Sequence, residues 1–119
     1  MENNEKITKI IEKSKALAKR AEAVRKDFEK IRHDIYALTK NLDKHGSAIE
    51  LETMEDIKSS IYDVNTSMET TIHAMKRITE LAILGKCDRY VVTRVKMAVC
   101  EVCAAEKEME VFKEVLKIK

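Results

Sequence analysis

Three long runs of regularly spaced apolar residues are the feature that most constrains the fold of this chain. In each run the spacing alternates between three and four residues without a break, which is the pattern of the buried seam of a helix in a bundle. The first run is Ile7, Ile10, Ser14, Leu17, Ala21, Val24, Phe28, Ile31, Ile35, Leu38 and Leu42. The second is Met54, Ile57, Ile61, Val64, Met68, Thr71, Met75, Ile78 and Ala82, and the third is Val91, Val95, Ala98, Val102, Ala105, Met109, Phe112 and Leu116. The chain is therefore predicted to be all-α.

The two glycines mark where these helices end, and the chain has no proline to interrupt them. Gly46 and Gly85 can each adopt the left-handed conformation that closes a helix. Ser47 then begins a Ser-x-x-Glu capping box, and Asp88 is a natural N-cap. We expect helices over about 4–45, 48–84 and 89–118, joined by connections short enough to make neighbours antiparallel. The prediction is one domain, residues 1–119, folded as an up-down-up three-helix bundle of long, coiled-coil-like helices. Exchange of helices between protomers at the Gly46 turn is left open.

The composition narrows the class of protein further. Charged residues make up 37% of the chain and hydrophobic residues 45%, and no apolar stretch approaches the roughly 20 residues of a membrane span. The first 30 residues contain no apolar block typical of a signal peptide. Three cysteines, an odd number, favour a reducing compartment over a disulfide framework. We therefore expect a cytoplasmic protein.

The third helix carries a second apolar row in addition to its core seam. By helical-wheel geometry this row lies roughly 130° from the seam, and its members are Tyr90, Met97, Ala104, Val111 and Ile118. An exposed apolar row of this length is unfavourable on a monomer, so it predicts an interface with a partner protein or with a second copy of the chain. The alternative is that the third helix is the most buried of the three.

The charges are unevenly distributed along the predicted bundle. Residues 5–20 and 72–98, which share one end of an up-down-up bundle, have a net charge of +8, and the rest of the chain has −6. This basic end is a candidate site for nucleic acid or a phosphorylated ligand; the alternative is a solvated surface whose dipole orients self-assembly. The candidate anion-binding residues are Lys13, Lys19, Arg20, Lys76, Arg77, Arg89, Arg94 and Lys96. Tyr90 is the one aromatic residue in these two segments, too few for stacking on successive bases, which argues against specific base recognition.

The three cysteines do not form a recognisable metal or redox site. Cys100 and Cys103 are spaced as C-x-x-C in the middle of a helix, whereas a redox pair of this kind stands at a helix N-terminus. Cys87 lies about 20 Å away along the helix and cannot complete a metal site. We expect no cofactor and no metal.

One short segment of the second helix has a counterpart in a known family. His73-Ala74-Met75-Lys76, an outward histidine followed three residues later by lysine, resembles the phospho-accepting segment of histidine phosphotransfer domains. The resemblance covers about five residues and implies phosphotransfer through His73. That family has glycine directly after the lysine, whereas this chain has Arg77.

Taken together, these patterns predict a non-catalytic protein that acts by protein–protein contact, assembled as a homo-oligomer through its third helix. The partner is then a second copy of the chain or another protein. The alternative functions are an anion-binding module at the basic end and, more remotely, phosphotransfer through His73.

Overall fold

The computed structural model of the protein describes residues 2–45 and 48–117, with side chains over 4–37, 40 and 52–114. It contains three helices: α1 spans Glu2–His45, α2 spans Ala48–Ile83 and α3 spans Arg89–Lys117. These bounds confirm the helices expected from the sequence. Gly46, Ser47 and Ile118 lie outside the described residues, and so do the side chains of Leu38, Leu42 and Leu116.

The connection between α2 and α3 is built as the sequence predicts. Gly85 has φ of +81°, in the left-handed region that glycine enters without steric cost. Its N–H donates to the Ala82 carbonyl and that of Lys86 to the Leu81 carbonyl, both at 2.9 Å, which is the Schellman arrangement that ends a helix. Asp88 then caps α3, because its carboxylate accepts a hydrogen bond from the Val91 N–H at 3.1 Å.

The three helices pack against one another along a rod whose Cα extents are 65 × 19 × 17 Å. The core is a single cluster that contains buried members of all three predicted runs. Phe28 of α1 is fully buried and meets Phe112 of α3 edge to face, with ring centroids 5.7 Å apart. The hydroxyls of Ser14 and Thr79, which lie 2.7 Å apart, form a polar layer between α1 and α2. This arrangement confirms the predicted all-α three-helix bundle.

α3 is too short to reach the far end of the rod, where only α1 and α2 pack against each other. At about 1.5 Å per residue, its 29 residues extend about 43 Å, whereas the 44 residues of α1 extend about 66 Å. Since α3 starts at the end of the rod where α2 finishes, α1 and α2 continue beyond it by about 20 Å. The last part of the rod is therefore a two-helix hairpin.

Candidate functional site

The apolar row of α3 faces solvent as the sequence predicts. The exposed fractions of Tyr90, Met97 and Val111 are 68%, 52% and 60%, and Ala104 is exposed as well. The core seam of α3, roughly 130° away around the helix, is buried. The alternative, that this row is covered because α3 is the most buried of the three helices, is therefore wrong for these four residues. The fifth member, Ile118, lies outside the described part of the chain.

α2 contributes a second row beside that of α3, and the sequence analysis missed it. Ser67 and Ala104 line the same groove, of about 320 Å³, between the two helices. Ala74 and Leu81 follow Ser67 at intervals of seven residues, just as Met97 and Tyr90 precede Ala104. Because the helices are antiparallel, these steps keep the two rows side by side up to the turn. We call the combined surface the α2–α3 face; its members are Ser67, Ala74, Leu81, Tyr90, Met97, Ala104 and Val111.

A polar network crosses from α2 to α3 beside this face. Arg94 donates a hydrogen bond to Glu101 Oε1 at 2.9 Å, and the Thr71 hydroxyl lies 3.1 Å from the same oxygen. The Arg94 side chain is only 16% exposed and that of Glu101 33% exposed. Thr71 is fully buried, and its hydroxyl also lies 3.0 Å from the Ser67 carbonyl oxygen. The Thr71–Glu101 contact joins α2 to α3, whereas Arg94 and Glu101 both belong to α3, where their ion pair neutralises the charge of Arg94.

Arg20, another of the predicted anion-binding residues, is also held in an ion pair. Its guanidinium donates two hydrogen bonds to the Glu106 carboxylate of α3, one of them from Nε at 3.2 Å, and Nη2 lies 3.6 Å from Cys103 Sγ. Because the charged carboxylate accepts these hydrogen bonds, the pKa of Glu106 is lowered from its usual value near 4.5. The same contact, with a smaller effect from Cys103, raises the pKa of Arg20.

The predicted anion-binding residues surround the rod and do not converge on one groove. Arg20 lies between α1 and α3, Lys76 lines a groove between α1 and α2, and Arg94 contacts Glu101. The remaining members are exposed and, like Lys76, form no ion pair with the side chains that the structure describes; they are Lys13, Lys19, Arg77, Arg89 and Lys96. Anion binding stays a prediction.

His73 is exposed on α2, as the phosphotransfer hypothesis requires. It lines a groove with Lys76 and with Arg25 of α1. Arg25 is itself 3.1 Å from Glu22 and 3.5 Å from Glu69, and this contact with Arg25 lowers the pKa of Glu22. An exposed histidine among charged neighbours is common on helical surfaces, so phosphotransfer also stays a prediction.

A further groove lies where α1 and α2 extend towards the hairpin end of the rod. It has a volume of about 510 Å³ and is lined by two exposed tyrosines, Tyr36 and Tyr62, together with Phe28, Arg32, Glu55, Lys58, Ser59, Ile61 and Asn65. The ammonium groups of Lys40 and Lys58 lie 5.6 and 5.4 Å from the centroid of the Tyr36 ring, at cation–π distance. The buried amide oxygen of Asn65 accepts no hydrogen bond from the described residues. The sequence analysis did not anticipate this groove.

Other classes of site find no further support in the described residues. No three His, Cys, Asp or Glu side chains in the described residues lie where they could hold a metal ion. Among the described helices, none has an apolar stretch that could cross a bilayer.

Comparisons with known proteins do not assign the chain to a family. No protein-family model, curated protein or solved structure matches it. The proposals below therefore rest on the geometry and chemistry of the chain itself.

Proposed function

We propose that this protein is a non-catalytic helical module that acts by protein–protein contact and assembles with copies of itself through α3. The observation that carries the proposal is the exposure of Tyr90, Met97 and Val111 in one straight row. In a monomer these side chains would remain in water, although each would gain about 1.5–3 kcal/mol on full burial. Large apolar side chains aligned on one exposed surface are typical of interaction sites.

The α2–α3 face also has the shape that a helix of a partner needs. Its middle consists of the small residues Ser67, Ala74 and Ala104, which allow a helix backbone to approach closely. Larger side chains flank this middle at both ends, with Tyr90 and Leu81 near the turn and Val111 towards the other end. A helix packed along this face would extend the bundle beyond three helices and keep the ridges-into-grooves geometry of its core.

Sedimentation equilibrium or light scattering of the purified chain tests the proposal. We expect a mass above that of the 13.7 kDa monomer, and we expect Met97→Asp to shift the assembly towards monomer. Burial of the Met97 side chain contributes about 1.5–3 kcal/mol, so its loss should weaken association by about 10- to 100-fold. Tyr62→Asp is the control, because Tyr62 is even more exposed than Met97, at 70% against 52%, but lies on another surface. A strict monomer at high concentration, or equal effects of the two variants, would contradict the proposal.

A further inference from the structure

The charges of α3 are divided along its length. Between Arg89 and Val99 the helix contains three cations and no carboxylate, whereas between Cys100 and Glu114 it contains five glutamates and two lysines. The apolar row runs through both halves. Any helix that lies along this row must therefore contact a basic half and an acidic half.

Some of these charges form no ion pair with the side chains that the structure describes. Arg94 and Glu106 are in ion pairs within the bundle, but Arg89 and Lys96 in the basic half are exposed and unpaired among the described side chains. The same holds for Glu108, Glu110 and Glu114 in the acidic half. The unpaired charges of the two halves are thus of opposite sign.

We infer that the partner on the α2–α3 face is a second copy of this chain in antiparallel orientation. The inference rests on the proposed self-assembly and goes further by specifying how the two copies are arranged. When α3 is laid against itself in reverse, Arg89 and Lys96 come beside the acidic half of the other copy. In a parallel pair, the basic half of one copy would lie along the basic half of the other, and the acidic half along the acidic half. Opposite charges at such flanking positions determine orientation in paired helices.

The apolar row favours the same arrangement, because it is symmetric about its centre. Its midpoint falls between Cys100 and Glu101, so reversal places Met97 opposite Ala104 and Tyr90 opposite Val111. Larger side chains then face smaller ones at both pairs of positions, as complementary packing requires. A two-fold axis through this midpoint gives an isologous dimer that closes on itself and leaves no free apolar row.

This orientation determines the shape of the dimer. Arg20 pairs with Glu106, which places the centre of the α3 row near the first third of α1. From there α1 continues about 30 residues to its end, or roughly 45 Å. The antiparallel dimer is then roughly 90 Å long, with a two-helix hairpin projecting at each end. The grooves beside Tyr36 would face opposite ends of the dimer, so that the dimer is a symmetric two-ended connector.

Cross-linking through single cysteines tests the self-contact and the orientation separately. In a Cys87→Ala/Cys103→Ala chain, the remaining Cys100 lies at the centre of the row. A short bis-maleimide should join two copies through Cys100 in either orientation, and Ala16→Cys on α1, in a chain without the native cysteines, should not be joined. If Cys100 does not cross-link and the chain sediments as a monomer, the proposed self-assembly and the orientation both fail.

Orientation is then determined with Thr93→Cys and Lys107→Cys, each in a chain that lacks the native cysteines and carries a tag of different mass. These exposed positions are 14 residues apart, about 21 Å along the helix, which a short linker cannot span. The antiparallel dimer predicts cross-links between the two variants in a mixture and almost none within either alone. If each variant cross-links to itself and not to the other, the antiparallel inference is overturned while self-assembly stands.

Charge reversal provides a second measurement that does not depend on cysteines. Arg89→Glu places two like-charge contacts in an antiparallel dimer, because reversal brings Arg89 beside Glu114 of the other copy, and it should weaken association about tenfold, with the loss reduced at high salt. Adding Glu114→Lys to the same chain should restore association. In a parallel dimer neither variant would change it appreciably, so unchanged affinities would overturn the inference.

Discussion

Replacing Glu101 by alanine tests how strongly the polar network beside the α2–α3 face stabilises the bundle. Glu101 accepts the hydrogen bond of Arg94 at 2.9 Å and lies 3.1 Å from the Thr71 hydroxyl. The substitution leaves the Arg94 guanidinium, which is 16% exposed, without its counter-charge. Thr71 keeps its contact with the Ser67 carbonyl oxygen, so the loss comes chiefly from the unpaired arginine.

The magnitude follows from the burial of the two partners. Exposed ion pairs contribute about 0–1 kcal/mol, whereas removing one partner of a fully buried pair costs about 3–5 kcal/mol. Since Arg94 is largely buried and Glu101 is one-third exposed, we expect Glu101→Ala to reduce the free energy of unfolding by about 2 kcal/mol. For a chain of this length the midpoint of thermal unfolding should fall by about 6–10 °C.

Thermal and urea unfolding, followed by circular dichroism at 222 nm, measure this loss. Protein concentration must be equal for all variants, because self-association would raise the apparent stability by mass action. Glu12→Ala is the control, since Glu12 is exposed on α1 and forms no ion pair with the described side chains; its effect should stay within about 0.5 kcal/mol. If Glu101→Ala costs no more than Glu12→Ala, the network does not stabilise the bundle.

A double-mutant cycle with Arg94→Met separates the pairwise contact from the individual side chains. The double variant Arg94→Met/Glu101→Ala removes the unpaired charge, so it should be less destabilised than the sum of the two single variants by about 1 kcal/mol or more. Additive losses would mean that the two residues stabilise the fold independently of each other, contrary to the geometry.

Two further predictions concern the core and the response to pH. Phe28→Ala should reduce stability by about 3–5 kcal/mol in urea unfolding because it empties a fully buried site, whereas Tyr62→Ala, at an exposed site, should change it by under about 1 kcal/mol. The pKa of Glu106 is lowered in the folded chain by Arg20, so its contribution to stability is present above pH 4.5 and is lost as the pH falls through the folded-state pKa. Wild type should therefore be slightly more stable than Glu106→Gln near pH 7, and the difference should vanish towards pH 3; a constant difference would contradict this assignment.

The sequence was sufficient to predict the helices because their ends are specified locally. Gly85 has the positive φ that ends α2, and Asp88 caps α3 through its own side chain. The core could be predicted for a similar reason. In each helix the spacing of the apolar residues alternates between three and four without a break, which identifies one face as the buried face. Phe28 in α1 and Val102 in α3 lie on that face and are completely buried. The ends of a helix and its buried face are thus both specified by residues of that helix and its adjoining turn, without knowledge of the other helices.

The periodicity of a single helix could not predict which side chains of different helices contact one another. The predicted basic end assumed that charges at the same height along the rod share a surface, but height does not determine the direction in which a side chain points around it. Arg20 faces Glu106 of α3, whereas Lys76 lines the groove between α1 and α2. The α2 half of the α2–α3 face was missed because Ser67 and Ala74 are not strongly apolar. The signal that could have revealed this row is the seven-residue spacing of Ser67, Ala74 and Leu81.

The contrast between α1 and α3 argues that the exposed row of α3 is a functional feature of the surface. α1 is half as long again as α3, yet Tyr36 is its one large apolar side chain that is strongly exposed among those described. α3 exposes Tyr90, Met97 and Val111 in a single line. α1 and α3 each pack against the two other helices of the bundle. One continuous apolar face on each helix is enough for this packing. The exposed apolar row of α3 is additional to that face. The same helix also has unpaired basic residues in its first half and unpaired acidic residues in its second half. A surface in contact with water alone would need neither the apolar row nor the two oppositely charged halves, whereas an antiparallel contact between two copies of the chain would bury the row and pair the charges.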